Sequence, residues 1–265
     1  MAEPGPTTVD RLLGGLLSLH QGQSGHRAGT DAVLLAAAAG TAGSGVFVDV
    51  GAGVGAAGLA LALRCSGARG LLLEADASAA DLARENCRLN RVDDRVGVIE
   101  ADLFSGSACR AAGLLPERAD LVITNPPFYR AGEVRRSPDP ARSSAHVLDA
   151  GGHGHWLRAA AALLAPKGRL IAIHRPDALP ELLAACEGRL GAVVVLPVRA
   201  RPGDDAVRIL FGGVKGSRAP LRIAPDLVLH RRQGGFTAEA EAIHRGDAAL
   251  RMWAGRTDAR PEVSS

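Results

Sequence analysis

The sequence predicts an α/β protein built on a mostly parallel sheet, with helices on both faces and an antiparallel hairpin at the end. Three observations carry this. Short apolar runs alternate with helical segments from residue 45 to residue 188, the pattern that builds parallel strands joined by crossover helices. The last two apolar runs, 191–200 and 205–215, have no helix between them and read as a hairpin. The length of 265 residues, with 47% hydrophobic and 22% charged residues, suits one such domain of ordinary soluble composition.

The elements follow in order. Residues 1–8 are proline-rich and read as loose, and 9–30, broken by glycines, read as a short hairpin or mixed element. "TDAVLLAAAA" (30–39) reads as a helix with Thr30 or Asp31 as its N-cap. "GVFVDV" (45–50) is the first core strand, glycine-rich "GAGVG" follows, and 56–65 is a helix. "GLLLEA" (70–75) is the second strand, and Ser78 and Asp81 have capping-box spacing at the start of a helix over 78–90. Strands three and four are 95–102 and 119–125. A helix over 155–165 is stopped by Pro166, strand five is 168–174 and a helix covers 177–188. The hairpin brings the count to seven strands. The tail is polar and basic, with one helix over 237–253. The chain thus divides into an N-terminal extension (1–44) packing on the site, a core domain (45–215) and a C-terminal tail of that domain (216–265).

Bulk properties narrow the class. Cys65, Cys87, Cys109 and Cys186 form no C-x-x-C pair and read as buried, reduced thiols. The N-terminus has no basic and apolar leader, and no uncharged apolar run is long enough to span a membrane. The expectation is a cytoplasmic monomer. A net charge of +3 permits a nucleic-acid partner without demanding one, so local basic patches matter more than the total.

The carboxyl edge of such a sheet is where ligands bind, and three loops there carry chemistry. "VDVGAGVGAAG" places Gly51, Gly53 and Gly55 between a strand and a helix, so a ligand can approach the backbone and the helix N-terminus. Glu74, at the end of the next strand, offers a carboxylate to both hydroxyls of a ribose, and Asp102 ends the third strand on the same edge. This half of the pattern leaves two readings open. G-A-G-V-G-A also fits the dinucleotide fingerprint, so a nicotinamide oxidoreductase stands beside a nucleoside-cofactor transferase.

The fourth strand ends in "NPPFY". Asn125 is one of only three asparagines, and Phe128 and Tyr129 are two of eight aromatics. Two prolines without N–H groups stiffen the loop and leave its carbonyls without internal partners. With the side-chain carbonyl of Asn125 they form a rigid pair of acceptors for a planar –NH2 group. Phe128 supplies a face on which a base stacks, worth about 1–3 kcal/mol. Two acceptors gripping the hydrogens of a delocalised amine favour a pyramidal nitrogen whose lone pair can attack an electrophile. Such a site works by positioning and electrostatics and needs no strong base.

"VDVGAGVG", "LLLEA", "EADLF" and "NPPF" resemble the motifs of Rossmann-like class I S-adenosylmethionine-dependent methyltransferases that methylate amines. "GHRAGTDAVLLAAA", "SPDPARSSAH" and "VKGSRAPLRIAPDLVLH" resemble the bacterial tRNA1(Val) (adenine-37-N6)-methyltransferase family, over about residues 12–252. The resemblance implies a cofactor, S-adenosyl-L-methionine. Asp49, Gly51, Ala52 and Gly53 would lie at its methionine part, Glu74 and Ala75 at the ribose, and Asp102 and Leu103 at the adenine. Arg27 and Thr30 would lie over the methionine end. Asn125, Pro126 and Pro127 would hold the target amine and Phe128 its ring. The N-P-P-F motif is shared with enzymes of rRNA guanine N2, and N-P-P-Y with those of protein glutamine N5. These targets stay open, as does a non-catalytic RNA-binding protein on a degenerate fold.

Arg130, Arg135, Arg136, Arg199, Arg201, Lys215 and Arg218 are the candidate RNA contacts, being basic residues on loops flanking the motif and around the hairpin. The two histidines of "GGHGHW" (151–156), with no cysteine nearby, do not make a metal site.

Overall fold

A computed structural model of the chain describes residues 7–22, 27–40, 45–126, 129–130, 147–148, 152–250 and 252–253. Pro127, Phe128, Arg135 and Arg136 lie outside the described residues, and of Arg130 only the backbone is described.

The chain opens with an antiparallel hairpin, β1 (Thr7–Leu12) and β2 (Leu17–Gly22), turned by the 3-10 segment Leu13–Gly15. Leu17 and Leu19 alternate inward from it. Helix α1 (Thr30–Ala39) is apolar on all sides and almost wholly buried. Its N-cap is Gly29 rather than Thr30 or Asp31, and Asp31 sits in the first turn, paired with Arg208 at 2.9 Å.

Then come β3 (Val46–Val50), α2 (Ala56–Arg64), β4 (Arg69–Glu74), α3 (Ala77–Leu89), β5 (Val96–Glu100), α4 (Gly106–Ala111) and β6 (Ala119–Thr124). The short pair β7 (Tyr129–Arg130) and β8 (Val147–Leu148) precedes α5 (Gly152–Ala162). Next are β9 (Leu164–His174), α6 (Leu179–Cys186), β10 (Leu190–Arg199), β11 (Ala206–Lys215), β12 (Arg222–Ile223), β13 (Leu227–Val228) and α7 (Ala238–Arg245).

Among the described residues the main sheet has nine strands, not seven, in the order β12-β10-β11-β9-β6-β3-β4-β5, with β13 also on β10. Strands β3, β4, β5, β6 and β9 are parallel, and β11 runs antiparallel to both β9 and β10. The two extra strands come from the tail. Each is two residues long, too short to show an alternation in sequence, and each is defined by pairing with β10.

Other boundaries shift for local reasons. Helix α3 is capped by Asp76, whose carboxylate accepts from Ala79 N at 2.8 Å, so Ser78 is already helical and Asp81 pairs with Arg84. Helix α5 ends at Ala162, and β9 begins at Leu164, before Pro166. The pairing of β6 with β9 skips from Ala119↔Leu164 to Leu121↔Arg169, and this bulge takes up the proline and Lys167, whose φ is 66°. Helix α7 stops at Gly246, a left-handed C-cap, well before residue 253.

Alternation along the strands divides the core between two faces. Phe47, Leu121, Ile171 and Leu210 pack with α1, α2 and the tail. Val48, Val50, Val122, Leu170 and Phe211 pack with α4, α5 and α6. From β3 the chain moves to β4 and β5 on one side, and from β6 to β9 on the other. The strand order therefore reverses between β3 and β6, which opens a cleft above their carboxyl ends.

Candidate active site

The cleft is bounded by the loops that follow β3, β4, β5 and β6. The first loop turns through left-handed glycines, Gly51 at φ 70° and Gly53 at φ 56°. These two glycines serve different neighbours. A Cβ on Gly53 would meet nothing within 4 Å, so this backbone faces open space, as a ligand-binding loop requires. A Cβ on Gly51 would lie 2.9 Å from Trp156 Cζ2, so its bareness serves a protein side chain.

Glu74 ends β4 and folds back onto the loop. Its Oε2 accepts from Gly53 N at 2.7 Å, and its Oε1 accepts from Ala75 N and Asp76 N, both at 2.9 Å. A carboxylate has roughly four acceptor positions, so capacity remains for a ribose hydroxyl. Asp49, buried on β3, accepts from Gly58 N at 2.8 Å in the first turn of α2. Burial pushes its carboxyl up to about 7, the Gly58 N–H opposes this and Glu74 adds to it. Asp102 is exposed beyond β5 and its Oδ1 accepts from Phe104 N at 2.9 Å. Leu103 is half-buried beside it and lines a cavity of about 270 Å³ with Phe104, Cys109 and His155.

On the other side of the cleft Asn125 follows the last residue of β6. Its Oδ1 is buried with no hydrogen-bond partner among the described residues. A buried acceptor left unpaired costs about 1–3 kcal/mol, and a donor brought by a ligand relieves that cost. Pro126 is buried next to it.

The remaining expected site residues are spread more widely. Arg27 pairs with Asp10 across the N-terminal segment. Thr30 Oγ1 lies 3.4 Å from His244 Nε2, at the start of α1. Arg199 ends β10 and pairs with Asp226 at 2.8 Å, and Arg201 is exposed in the turn beyond it. This turn lies toward the same edge as Asn125, because Ile209 on β11 pairs with His174 at the carboxyl end of β9. Lys215 and Arg218 do not share that edge. Val214 pairs with Arg169, five residues before His174 and just past the bulge of β9, and Lys215 Nζ donates to Glu117 Oε1 at 2.9 Å and to Leu164 O, at the start of β9, at 2.7 Å. At about 3.3 Å per residue, Lys215 lies roughly 20 Å down the strand from the level of His174.

Several residues went unassigned in the sequence. Asn86 on α3 and Asn90 at its C-cap, four apart, act as a short strand edge for the hairpin. Asn90 exchanges bonds with Ser18 N and O at 3.0 and 2.7 Å, and Asn86 with His20 N and O at 2.7 and 3.1 Å. Asn86 Nδ2 also donates to Val54 O in the glycine loop at 3.0 Å. The histidines of "GGHGHW" point to different places. His153 Nδ1 is 3.1 Å from His174 Nε2, whereas His155 stacks on Phe104 with centroids 4.5 Å apart. Among the described residues no cluster of acidic, histidine or cysteine side chains has the makings of a metal site.

A reversing parallel sheet, a glycine loop held by an acidic residue one strand away and Asn125–Pro126 opposite it are the frame of a class I methyltransferase. The chain belongs to the methyltransferase small domain family, whose model matches residues 24–184. A curated relative from Porphyromonas gingivalis, tRNA1(Val) (adenine(37)-N6)-methyltransferase, is 34% identical over 80% of this chain and 85% of its own length. A relative of the same name from Aeromonas hydrophila is 35% identical over 80% and 85%. The solved structure of a predicted O-methyltransferase, protein Atu636 from Agrobacterium tumefaciens, shares 33% identity and a TM-score of 0.70, covering 83% of this chain and 98% of that one. M. jannaschii TYW2 in complex with AdoMet shares the fold at a TM-score of 0.54 and 15% identity, over 81% of this chain and 88% of its own. The protein is thus an S-adenosylmethionine-dependent methyltransferase, and the nicotinamide reading of the glycine loop falls away. No helix among the described residues is long and apolar enough to cross a membrane.

Proposed function

We propose that the protein methylates the exocyclic N6 amine of an adenine in tRNA, at position 37 of a tRNA1(Val)-type substrate, as a cytoplasmic monomer. The observation that carries this reading is the unpaired, buried acceptor of Asn125 beside the cofactor loop. An exocyclic amine donates two hydrogens, and Asn125 Oδ1 with the Pro126 carbonyl would accept both. Phe128 would stack on the base, and Pro127 would hold the loop extended. Gly51, Ala52 and Gly53 would hold the methionine part of S-adenosylmethionine, Glu74 and Ala75 the ribose, and Asp102 and Leu103 the adenine. When bound, the cofactor supplies an electrophilic methyl group on a sulfonium. The open space at Gly53 and the spare acceptors of Glu74 and Asp102 suit it.

The chain's own task is orientation. Gripping the amine hydrogens turns its lone pair toward the glycine loop, and the methylated nitrogen then loses a proton without a dedicated base. Arg130, Arg135, Arg136, Arg199 and Arg201 would meet phosphates around the target nucleotide. A loop nucleotide is already partly unstacked, so extruding it costs less than flipping a duplex base. The names of the curated relatives support this substrate.

The test uses purified protein, labelled S-adenosylmethionine and fractionated total RNA from a strain lacking the gene, with mass spectrometry of digested nucleosides. N6-methyladenosine confined to the tRNA fraction is the expected result. Label in rRNA guanine or in protein would overturn the substrate.

A further inference from the structure

Trp156 lies at the point where three loops of the cleft meet. It projects from the second turn of α5, and its indole edge fills the space left by the missing side chain of Gly51. Its ring meets Phe104 of the Asp102 loop edge-to-face, with centroids 5.9 Å apart. Its Nε1–H donates to Thr124 Oγ1 at 2.9 Å, and the Thr124 hydroxyl donates onward to Val50 O at 2.8 Å. Thr124 is fully buried, and Val50↔Thr124 is the last pair of the β3–β6 ladder. The next residue on one strand is Gly51 and on the other Asn125. The relay therefore ties the two strands together where their pairing stops and their loops diverge.

We propose that Trp156 and Thr124 are positioning residues: the Trp156→Thr124→Val50 relay fixes Asn125 relative to the glycine loop, so that the amine is held in register with the methyl donor. The ring and the N–H have separable duties. The ring supports the glycine loop and thus cofactor affinity. The N–H orients the threonine that precedes Asn125 and thus affects turnover. A shift of about 1 Å between two reacting groups costs about 10²-fold in rate, so a lost strut shows in kcat before it shows in binding.

This inference rests on the proposed amine-methylating reading of the same cleft, and its tests are chosen to fail separately. Trp156→Phe keeps an aromatic ring on α5 beside Phe104 but removes the N–H and the indole edge next to Gly51, so Thr124→Val is the cleaner probe of the N–H's duty. Thr124→Val keeps the shape and removes the hydroxyl. Each is expected to bind S-adenosylhomocysteine within about threefold of wild type while kcat on tRNA falls about tenfold. The double variant should be no slower than either single one, because both break one relay. Thr124→Ser, which retains the hydroxyl, should restore turnover. In the nitrogen-15-labelled protein the Trp156 indole N–H should exchange slowly with solvent, and Thr124→Val should abolish that protection. Wild-type turnover in both single variants, multiplying losses in the double variant, or unchanged indole protection in Thr124→Val would each overturn the relay. If the wild-type protein methylates no RNA, the proposed substrate falls, and the indole measurement still decides the relay.

Discussion

On the cofactor side of the cleft the acidic groups are already engaged. Glu74 holds three backbone N–H groups and Asp49 holds a fourth, so the glycine loop is built before any ligand arrives. On the side of Asn125 a buried acceptor has no partner among the described residues. The difference separates two duties. In the proposed reading, preformed hydrogen bonds give a rigid cofactor seat, whereas an acceptor left unmade would serve a group present only during the reaction. Substitutions on the two sides should therefore be felt in different constants.

The largest effect is expected on the target side. Asn125→Ala should lower kcat by about 10²–10³-fold, with the S-adenosylhomocysteine Kd from calorimetry nearly unchanged. Equal losses in both constants would merge the two sides. On the cofactor side, Glu74→Ala removes a charged acceptor and lets the loop relax. Hydrogen bonds to charged groups contribute about 1.5–3 kcal/mol, so cofactor Kd should weaken roughly 10- to 100-fold, while saturating cofactor recovers most of kcat.

Asp49 sharpens the same contrast through pH. The native protein holds its proton up to about pH 7, while the unfolded chain releases it near the ordinary value of 3.8. The native state thus binds more protons across that interval, and this group's contribution to stability falls as pH rises through it, levelling off above. His174 has the opposite sign. Burial and His153 lower it from 6.5 to about 4, so its contribution rises with pH across that range. The readout is therefore the difference between wild type and Asp49→Asn. The variant should gain in relative melting temperature as pH goes from 4 to 7, and a constant difference would contradict a buried, protonated Asp49. The smallest effect belongs to Lys215→Ala, at the opposite edge of the sheet. The KM for tRNA should stay within about twofold, whereas Arg201→Ala should raise it by more, consistent with one phosphate contact. The reverse order would move the RNA to the other end of the molecule.

The cofactor half was the more legible in sequence. A glycine loop followed at 21 residues by Glu74 follows from local chain geometry, and the structure bonds the two directly. Asn125 was equally visible, because an asparagine before two prolines at a strand end has few other uses. The end of the sheet that Lys215 occupies was not legible, for a reason of topology. A charge around a hairpin in sequence does not say which end of an antiparallel strand faces the site. Trp156 and Asn86 were invisible for a different reason. Their roles depend on contacts across 32 and 66 residues of chain, and neither carries a periodic signal. Their rarity was the one available hint, with two tryptophans and three asparagines in the chain.

The family match ends at residue 184, but the folding unit does not. Leu227, Leu229, Ile243 and Met252 complete the core on one face, β12 and β13 cover the flank of β10, and Leu250 N reaches Ala37 O at 2.9 Å. A fragment cut after Lys215 would retain the glycine loop, Glu74, Asp102 and the N-P-P-F segment and lose the cover of both a strand flank and an apolar face. Uncovered strands recruit other strands. Such a fragment would be recovered as aggregate, and a minimal catalytic version of this enzyme has to carry its tail through Trp253.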